Sequence, residues 1–343
     1  MALFGLVWSA MTLLIDGFTV VPTVRQALAL RYPATEGTVL SAEVTRHDSD
    51  GGDTYGVAMR YTYRVAGREY EGRRYRYQSG SSSDSGWADA AVARHGAGSK
   101  ATVYYNPANP GEALLAPGVE GSDLFLLAFM TPFNVVMLGF CAAGWTQFRR
   151  RWFKPVAGGV RIVSHLRRTR IRLMTFSPVM TGITTVALMA FASIFIIGFR
   201  NGFHPSLRTM LVTWSVILTG GVVVWGWQWS QILTGKYDLI LNELEGRLEL
   251  PLTHGRKTRA LIPLSEVQAA FVATVRKSSN DGEQSTTAYA PSLRLGDGEG
   301  VTEKLVEWYD AAKAAAFVDW LNERLPLRKS APVGDKWPSL RVG

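Results

Sequence analysis

Cysteine is almost absent: Cys141 stands alone in 343 residues, which excludes a disulfide scaffold. Charge is absent in three places. Leu124 to Phe148, Leu173 to Phe199 and Thr209 to Gly235 contain no Lys, Arg, Asp or Glu, although the segments between them are rich in charge. Each gap offers about 20 mostly apolar residues, enough at about 1.5 Å per residue to cross a hydrocarbon layer of about 30 Å. A plain soluble enzyme and a disordered chain do not have this pattern. Catalytic signatures are lacking as well. The five histidines, His47, His95, His165, His204 and His254, are scattered and show no His-x-x-x-His spacing, so no metal site is expected. There is no Gly-x-Ser-x-Gly elbow, Walker loop or dinucleotide fingerprint, and neither an enzyme nor a cofactor is expected. The run Asp48-Ser49-Asp50-Gly51-Gly52-Asp53 has the look of a calcium loop, but the twelfth position is Met59 rather than the required Glu, which leaves a solvated hairpin turn.

What is present is an uneven distribution of basic residues. From 146 to 178 the chain carries Arg149, Arg150, Arg151, Lys154, Arg161, Arg167, Arg168, Arg170 and Arg172 with no acidic residue, and this one segment accounts for the net charge of +9. Elsewhere the signs nearly balance. A basic chain can bind nucleic acid, yet a basic loop between two apolar spans is explained by positive-inside topology, and no nucleic acid partner is expected. Placing 146–178 in the cytoplasm orients the rest. Four transmembrane helices follow, at 1–22, 124–145, 179–199 and 209–230, with 33–122 extracytoplasmic and the C-terminus cytoplasmic, in a plasma (inner) membrane. Trp145, Phe148 and Trp152, with Trp225, Trp227 and Trp229, then mark the inner interface. The first span competes with a cleaved signal peptide ending near Ala27-Leu28-Ala29, although no basic residue precedes Arg25.

Polar groups inside the spans are few. Asp16 and Asn134 are the candidates for an intramembrane polar site, Asp16 having the competing reading of a solvated interface residue. Cys141 reads as a small core residue and Gly220-Gly221 as a close helix contact. Arg149, Arg150, Arg151, Arg167, Arg168, Arg170 and Arg172 are candidates for contact with anionic lipid headgroups, at about 1 kcal/mol per charge. Their competing reading is that they set topology only.

The segment 33–122 reads as β-rich. Thr38 to Thr45, Val57 to Val65 and Arg68 to Tyr77 alternate or are rich in β-branched and aromatic residues, with Ala66-Gly67 as a hairpin turn. Trp87 to Arg94 reads as a short helix stopped by Gly96 in a left-handed conformation. Ala101 to Tyr105 reads as a strand that Asn106-Pro107-Ala108-Asn109-Pro110 terminates. The order Thr35-Glu36-Gly37-Thr38-Val39, then Tyr61-Thr62-Tyr63-Arg64-Val65-Ala66-Gly67 with Tyr70 and Gly72, then Val103-Tyr104-Tyr105 running into that turn before Ala113, resembles the family catalogued as domain of unknown function 3592. The resemblance spans about residues 33–145. It implies a bacterial membrane protein with a β domain inserted between two helices, and it brings no catalytic residue with it.

Residues 236–326 read as a second β domain. Tyr237 to Asn242, Arg247 to Leu252, Thr258 to Leu264, Val267 to Arg276 and Thr287 to Leu295 are expected strands, with turns at Asn280-Asp281-Gly282 and Asp297-Gly298. Asp310 is expected to cap a helix presenting Ala314, Phe317, Val318, Leu321 and Leu325 on one face, ended by Pro326. This resembles, in architecture alone, a pleckstrin-homology-like barrel, and residues 327–343 read as a loose tail. The expected fold class is thus an α+β membrane protein: four transmembrane helices, an extracytoplasmic β domain, and a cytoplasmic antiparallel β domain closed by a C-terminal helix. Two functions fit. One is a non-catalytic scaffold or sensor that binds membrane lipids and a protein partner or a second copy, with assembly or immunity to a membrane-targeted toxin as versions of it. The other is an oligomeric transport component or membrane enzyme whose site forms between helices at Asp16 or Asn134.

Overall fold

The computed structural model describes residues 2–48, 53–78, 85–152, 156–175, 177–201, 205–253, 256–278, 285–296, 301–325 and 339–340. Among these, four helices are long and apolar enough to cross a membrane: α1 (Ala2–Leu28), α3 (Gly121–Trp152), α4 (Pro178–Asn201) and α5 (Leu207–Leu233). Each outruns its expected span. A run of apolar residues gives the length that hydrocarbon demands, but a helix continues until its backbone finds another partner. The chain divides into two compact units, one of residues 1–141 and 186–219, the other of residues 142–185 and 220–343.

In the first unit, β1 (Ala34–His47), β2 (Thr54–Val65), β3 (Arg68–Gly72), β4 (Lys100–Asn106) and β5 (Asn109–Leu114) form an antiparallel sheet in the order β3-β2-β1-β4-β5. Ala66 and Gly67 both have positive φ, 48° and 78°, as the tight β2–β3 turn requires. Two expectations are corrected here. The Asn106–Pro110 segment is a hairpin turn into β5, not a terminus: the Asn106 side chain accepts the Ala108 N–H, folding the chain back on itself. Helix α2 (Gly86–Arg94) forms as expected, but its cap is His95, and the left-handed glycine is Gly98 (φ 80°) rather than Gly96. Val39, Met59, Tyr61, Tyr63, Ala91 and Val103 build the core of this domain.

Against α1, the antiparallel α3 packs through Phe4 on Phe140, Trp8 on Phe133, and Gly5, whose missing side chain admits the Phe140 ring. Thr12, Thr19, Thr23 and Gln26 recur along α1 at helical spacing and are buried, while Leu3, Leu6, Leu13, Leu14 and Phe18 are exposed. The small and polar stripe faces protein and the large apolar one stays exposed, the arrangement expected of a helix that packs in a membrane. Phe125 and Ala128 of α3 pack with Ile194, Ile197 and Met210, and the Trp214 indole donates to the Leu124 carbonyl at 3.0 Å. Cys141 is exposed, so its reading as a core residue is corrected; in an apolar span a lipid-facing position suits it equally.

The second unit revises the basic loop. Residues 161–172 are not a loop but a hairpin, β6 (Arg161–His165) and β7 (Arg168–Arg172), which joins β8 (Asp238–Asn242), β9 (Arg247–Glu249) and β10 (Leu261–Pro263) in one sheet, ordered β10-β9-β8-β7-β6. Helices α4 and α5 are therefore inserted between two neighbouring strands, β7 and β8, and the Leu173 amide donates to the Tyr237 carbonyl at 2.8 Å to close the ladder. A second sheet, ordered β13-β12-β11-β14, consists of β11 (Val267–Ser278), β12 (Ser285–Leu295), β13 (Val301–Lys304) and a two-residue parallel strand, β14 (Ser339–Leu340), in the segment read as a loose tail. The expected turns at 280–282 and 297–298 lie outside the described residues. Helix α6 (Ala311–Arg324) is capped by Asp310, whose carboxylate accepts the Lys313 N–H at 3.1 Å. It buries Phe317, Val318 and Leu321 against Ile171, Leu239, Leu241, Leu248 and Leu293 from both sheets.

Candidate functional site

The strongest polar constellation joins the first β domain to its helices. Arg76 follows β3 and is buried; its guanidinium donates to Glu120 at 2.6 Å and to Asp123 at 2.7 Å, and Asp123 also accepts the Glu120 N–H at 2.8 Å in the first turn of α3. A carboxylate there suits the positive end of the helix. The next residue reaches α1: the Tyr77 N–H donates to Gln26 Oε1 at 2.8 Å, while Gln26 Nε2 donates to the Ala116 carbonyl. Gln26 is fully buried, so both ends of its amide are spent on the β domain. Ala29 continues this contact, packed with Tyr77 and Leu114. Neither Gln26 nor Arg76 was singled out from sequence. A Gln near the end of an apolar helix and one Arg among several carry no periodic signal.

Around this joint the ionisable groups are tied down. Glu112 accepts from Tyr77 at 2.9 Å, Asn106 at 3.2 Å and Arg74 at 3.3 Å. Burial alone would raise its pKa, but the Asn106 and Tyr77 bonds and the charges of Arg74 and Arg25 outweigh it and hold the carboxyl below its ordinary value. Burial first, then its bonds to Tyr32 and Glu112, pushes the Tyr77 hydroxyl well above the usual phenol range. Glu71 is lowered by hydrogen bonds from Arg60 and Arg73.

The two polar residues picked from the spans meet. Asn134 Nδ2 donates to Asp16 Oδ1 at 3.0 Å and to the Met130 carbonyl at 3.2 Å, so α1 and α3 share one polar contact inside their apolar interface. Gly220-Gly221 also has its expected surroundings: a side chain at Gly182 of α4 would stand 3.2 Å from the Gly221 carbonyl of α5.

The seven arginines are split. Arg168, Arg170 and Arg172 lie on the outer face of β7 and pair with Glu249 (3.0 Å) and Asp238 (3.3 and 3.5 Å), both carboxylates being almost fully buried beneath them. Arg259 adds bonds to the Gly235 and Asp238 carbonyls. Arg167 sits in the β6–β7 turn with φ 61°. Arg149 is exposed near the end of α3; the side chains of Arg150 and Arg151 lie outside the described residues. Beside Arg168 and Arg170 a groove of about 590 Å³ carries exposed Val163, Leu166 and Leu244. Asp48 and Asp53 of the calcium-like run both pair with Arg46, at 3.0 and 2.5 Å, and Asp50 lies outside the described residues. Among the described residues no three His, Cys, Asp or Glu side chains converge as metal ligands.

The residues that carried the family resemblance have structural work. Tyr63 donates to the Pro110 carbonyl at 2.6 Å and stacks on Tyr70, and Tyr61 donates to the Arg74 carbonyl at 2.9 Å. A side chain at Gly72 would enter the Tyr61 ring, and one at Gly37 would stand 2.6 Å from both the Thr62 carbonyl and Val103. These positions hold the strands of the open sheet together and fix their close approach. No curated protein and no solved structure matches the chain. Residues 35–120, ending before α3 rather than including it, match the model of the family described as Domain of unknown function (DUF3592), as the resemblance implied.

Proposed function

We propose that the protein is a non-catalytic component of a bacterial inner membrane, coupling an extracytoplasmic β domain to a cytoplasmic one and binding a protein or lipid partner. The observation that carries this reading is the joint at Arg76 and Gln26, which ties one β-domain segment to the ends of α1 and α3 through buried polar bonds. A domain on a loose linker would need none of them. The insertion of α4 and α5 between β7 and β8 gives the C-terminal domain a comparably short connection to its helices. Retention of α1 belongs to this reading, since cleavage near Ala27–Ala29 would remove Gln26. The exposed arginines and the groove beside Arg168 offer an acidic partner or anionic headgroups a surface. The transport or enzyme reading rests on Asp16 and Asn134; their mutual bond gives both residues a role as helix glue and weakens the need for an ion path.

Topology is tested with Cys141→Ala as background, carrying Ser82→Cys or Ser279→Cys. An impermeant thiol reagent should label the first variant in intact cells and the second only after lysis; the reverse pattern refutes the sidedness. Crosslinking in native membranes followed by mass spectrometry then asks for the partner. Recovery of no stoichiometric protein and no enriched lipid would refute the binding role.

A further inference from the structure

We propose that the first β domain contains a carbohydrate-binding cleft, selective for a neutral, hydroxyl-rich ligand. The cleft measures about 550 Å³, inside the range of about 300–1,000 Å³ common for small-molecule sites. His47 of β1, the chain from Glu71 to Arg76, Trp87 of α2 and Glu112 of β5 line it.

Three features select the ligand. The charges of the wall and of the residues directly paired with it balance as a set, four arginines against four carboxylates: Glu71 with Arg60 and Arg73 at 3.0 and 3.2 Å, Glu112 with Arg74 at 3.3 Å, and Arg76 with Glu120 and Asp123. An anion would meet the two glutamates and a cation the arginines, while a neutral ligand meets no net repulsion. Hydrogen-bonding capacity nevertheless remains in both directions. Arg73 and Arg74 each spend one donor of five on a side-chain acceptor, and their carboxylate partners keep free lone pairs. A hydroxyl can donate and accept, so it matches alternating donors and acceptors where a carboxylate or an amine matches half of them. Finally, Trp87 of α2 lines the same wall. The indole offers the flat apolar surface that the C–H face of a sugar ring covers.

If the coupling role proposed above holds, the cleft is its input. The chain from Arg74 to Arg76 that lines it leads straight into the bonds of Arg76 and Tyr77 to α3 and α1.

The test uses the full-length protein in lipid nanodiscs, so that no sugar-headed detergent competes, with cellobiose and chitobiose as probes and acetate and inorganic phosphate as anionic controls. Saturation-transfer NMR should show contact with at least one disaccharide. His47→Ala and Arg73→Ala, both at exposed rim positions that folding does not need, should each weaken it about fivefold to tenfold. No transfer to either disaccharide, transfer indifferent to both substitutions, or a response to acetate or phosphate in place of sugar overturns the proposal. Amide exchange at Glu120–Leu124 in the same samples separates the two readings. Slower exchange with sugar supports coupling, whereas binding without that change keeps the cleft and removes the coupling.

Discussion

Replacing Arg76 with Ala should loosen the first β domain more than any other single charge removal there. The Arg76 and Asp123 side chains are 6% and 1% exposed. Deleting the cation strands a carboxylate away from water, which costs about 3–5 kcal/mol for a buried pair. Asp123 keeps one bond, from the Glu120 N–H, so the lower end, about 3 kcal/mol, is expected. That is roughly a hundredfold in the opening equilibrium. Native-state hydrogen exchange in nanodiscs reads it directly, as faster exchange across β3 to β5 and the first turn of α3. Arg60→Ala breaks a pair in which both partners are exposed and should barely change exchange. Arg76→Met combined with Asp123→Leu removes both charges and should recover most of the loss, because the native pair is itself imperfect: Arg76 Nε and Asp123 Oδ1 have no partner. If Arg76→Ala is as silent as Arg60→Ala, the joint does not hold the domain and the coupling argument fails with it.

Gly72→Ala should prevent the first β domain from folding, since the added carbon collides with the Tyr61 ring, while Gly96→Ala, in open space, should be tolerated; protease resistance of the two variants decides this. Acid should weaken the same domain in two stages. Burial, helped by Arg94, depresses the His95 pKa, so the unfolded chain takes up that proton first and stability falls as pH drops through about 6.5. Glu112 and Glu71 are depressed too, so their stabilisation, present above the ordinary carboxylate range, is lost as pH falls through and below it. Glu112→Gln should flatten that acid limb in thermal melts, and a limb of unchanged steepness would count against the Glu112 network. Asp16→Asn keeps an acceptor for Asn134 and should leave a scaffold working, at a cost under about 1 kcal/mol, whereas a proton- or ion-coupled device should lose activity.

The four long apolar helices were legible because length and the scarcity of charge are both written in single residues. The second β domain was half legible. Strands with apolar alternation, such as Val267–Ser278, stand out, but β7 alternates Arg168, Arg170 and Arg172 with Thr169 and Ile171, so its dominant signal is charge, and charge beside a membrane span has a competing explanation. Its turn added no help, since Leu166 and Arg167 occupy positive φ without Gly or Asn. β5 was concealed by Pro110, tolerated because β5 is an edge strand. Asp16 and Asn134 were found because a polar residue in an apolar run is conspicuous. Arg76 and Gln26 were not, because their meaning lies in partners 44 and 47 positions away for Arg76 and 51 and 90 for Gln26, which no local pattern encodes.

The position of α4 and α5 between β7 and β8 also sets an order of events in biosynthesis. When β6 and β7 leave the ribosome, the strand they need has not been made; the chain must first deliver two hydrophobic helices, and only at Asp238 can the ladder continue. A free loop of that length would be closed against an entropy that grows with the logarithm of its size. Two helices already packed as a hairpin, with the Gly182–Gly221 contact made, present the strands side by side instead. Completion of the C-terminal domain thus waits on the two helices, and until β8 pairs with β7 the β6–β7 hairpin keeps an unpaired strand edge.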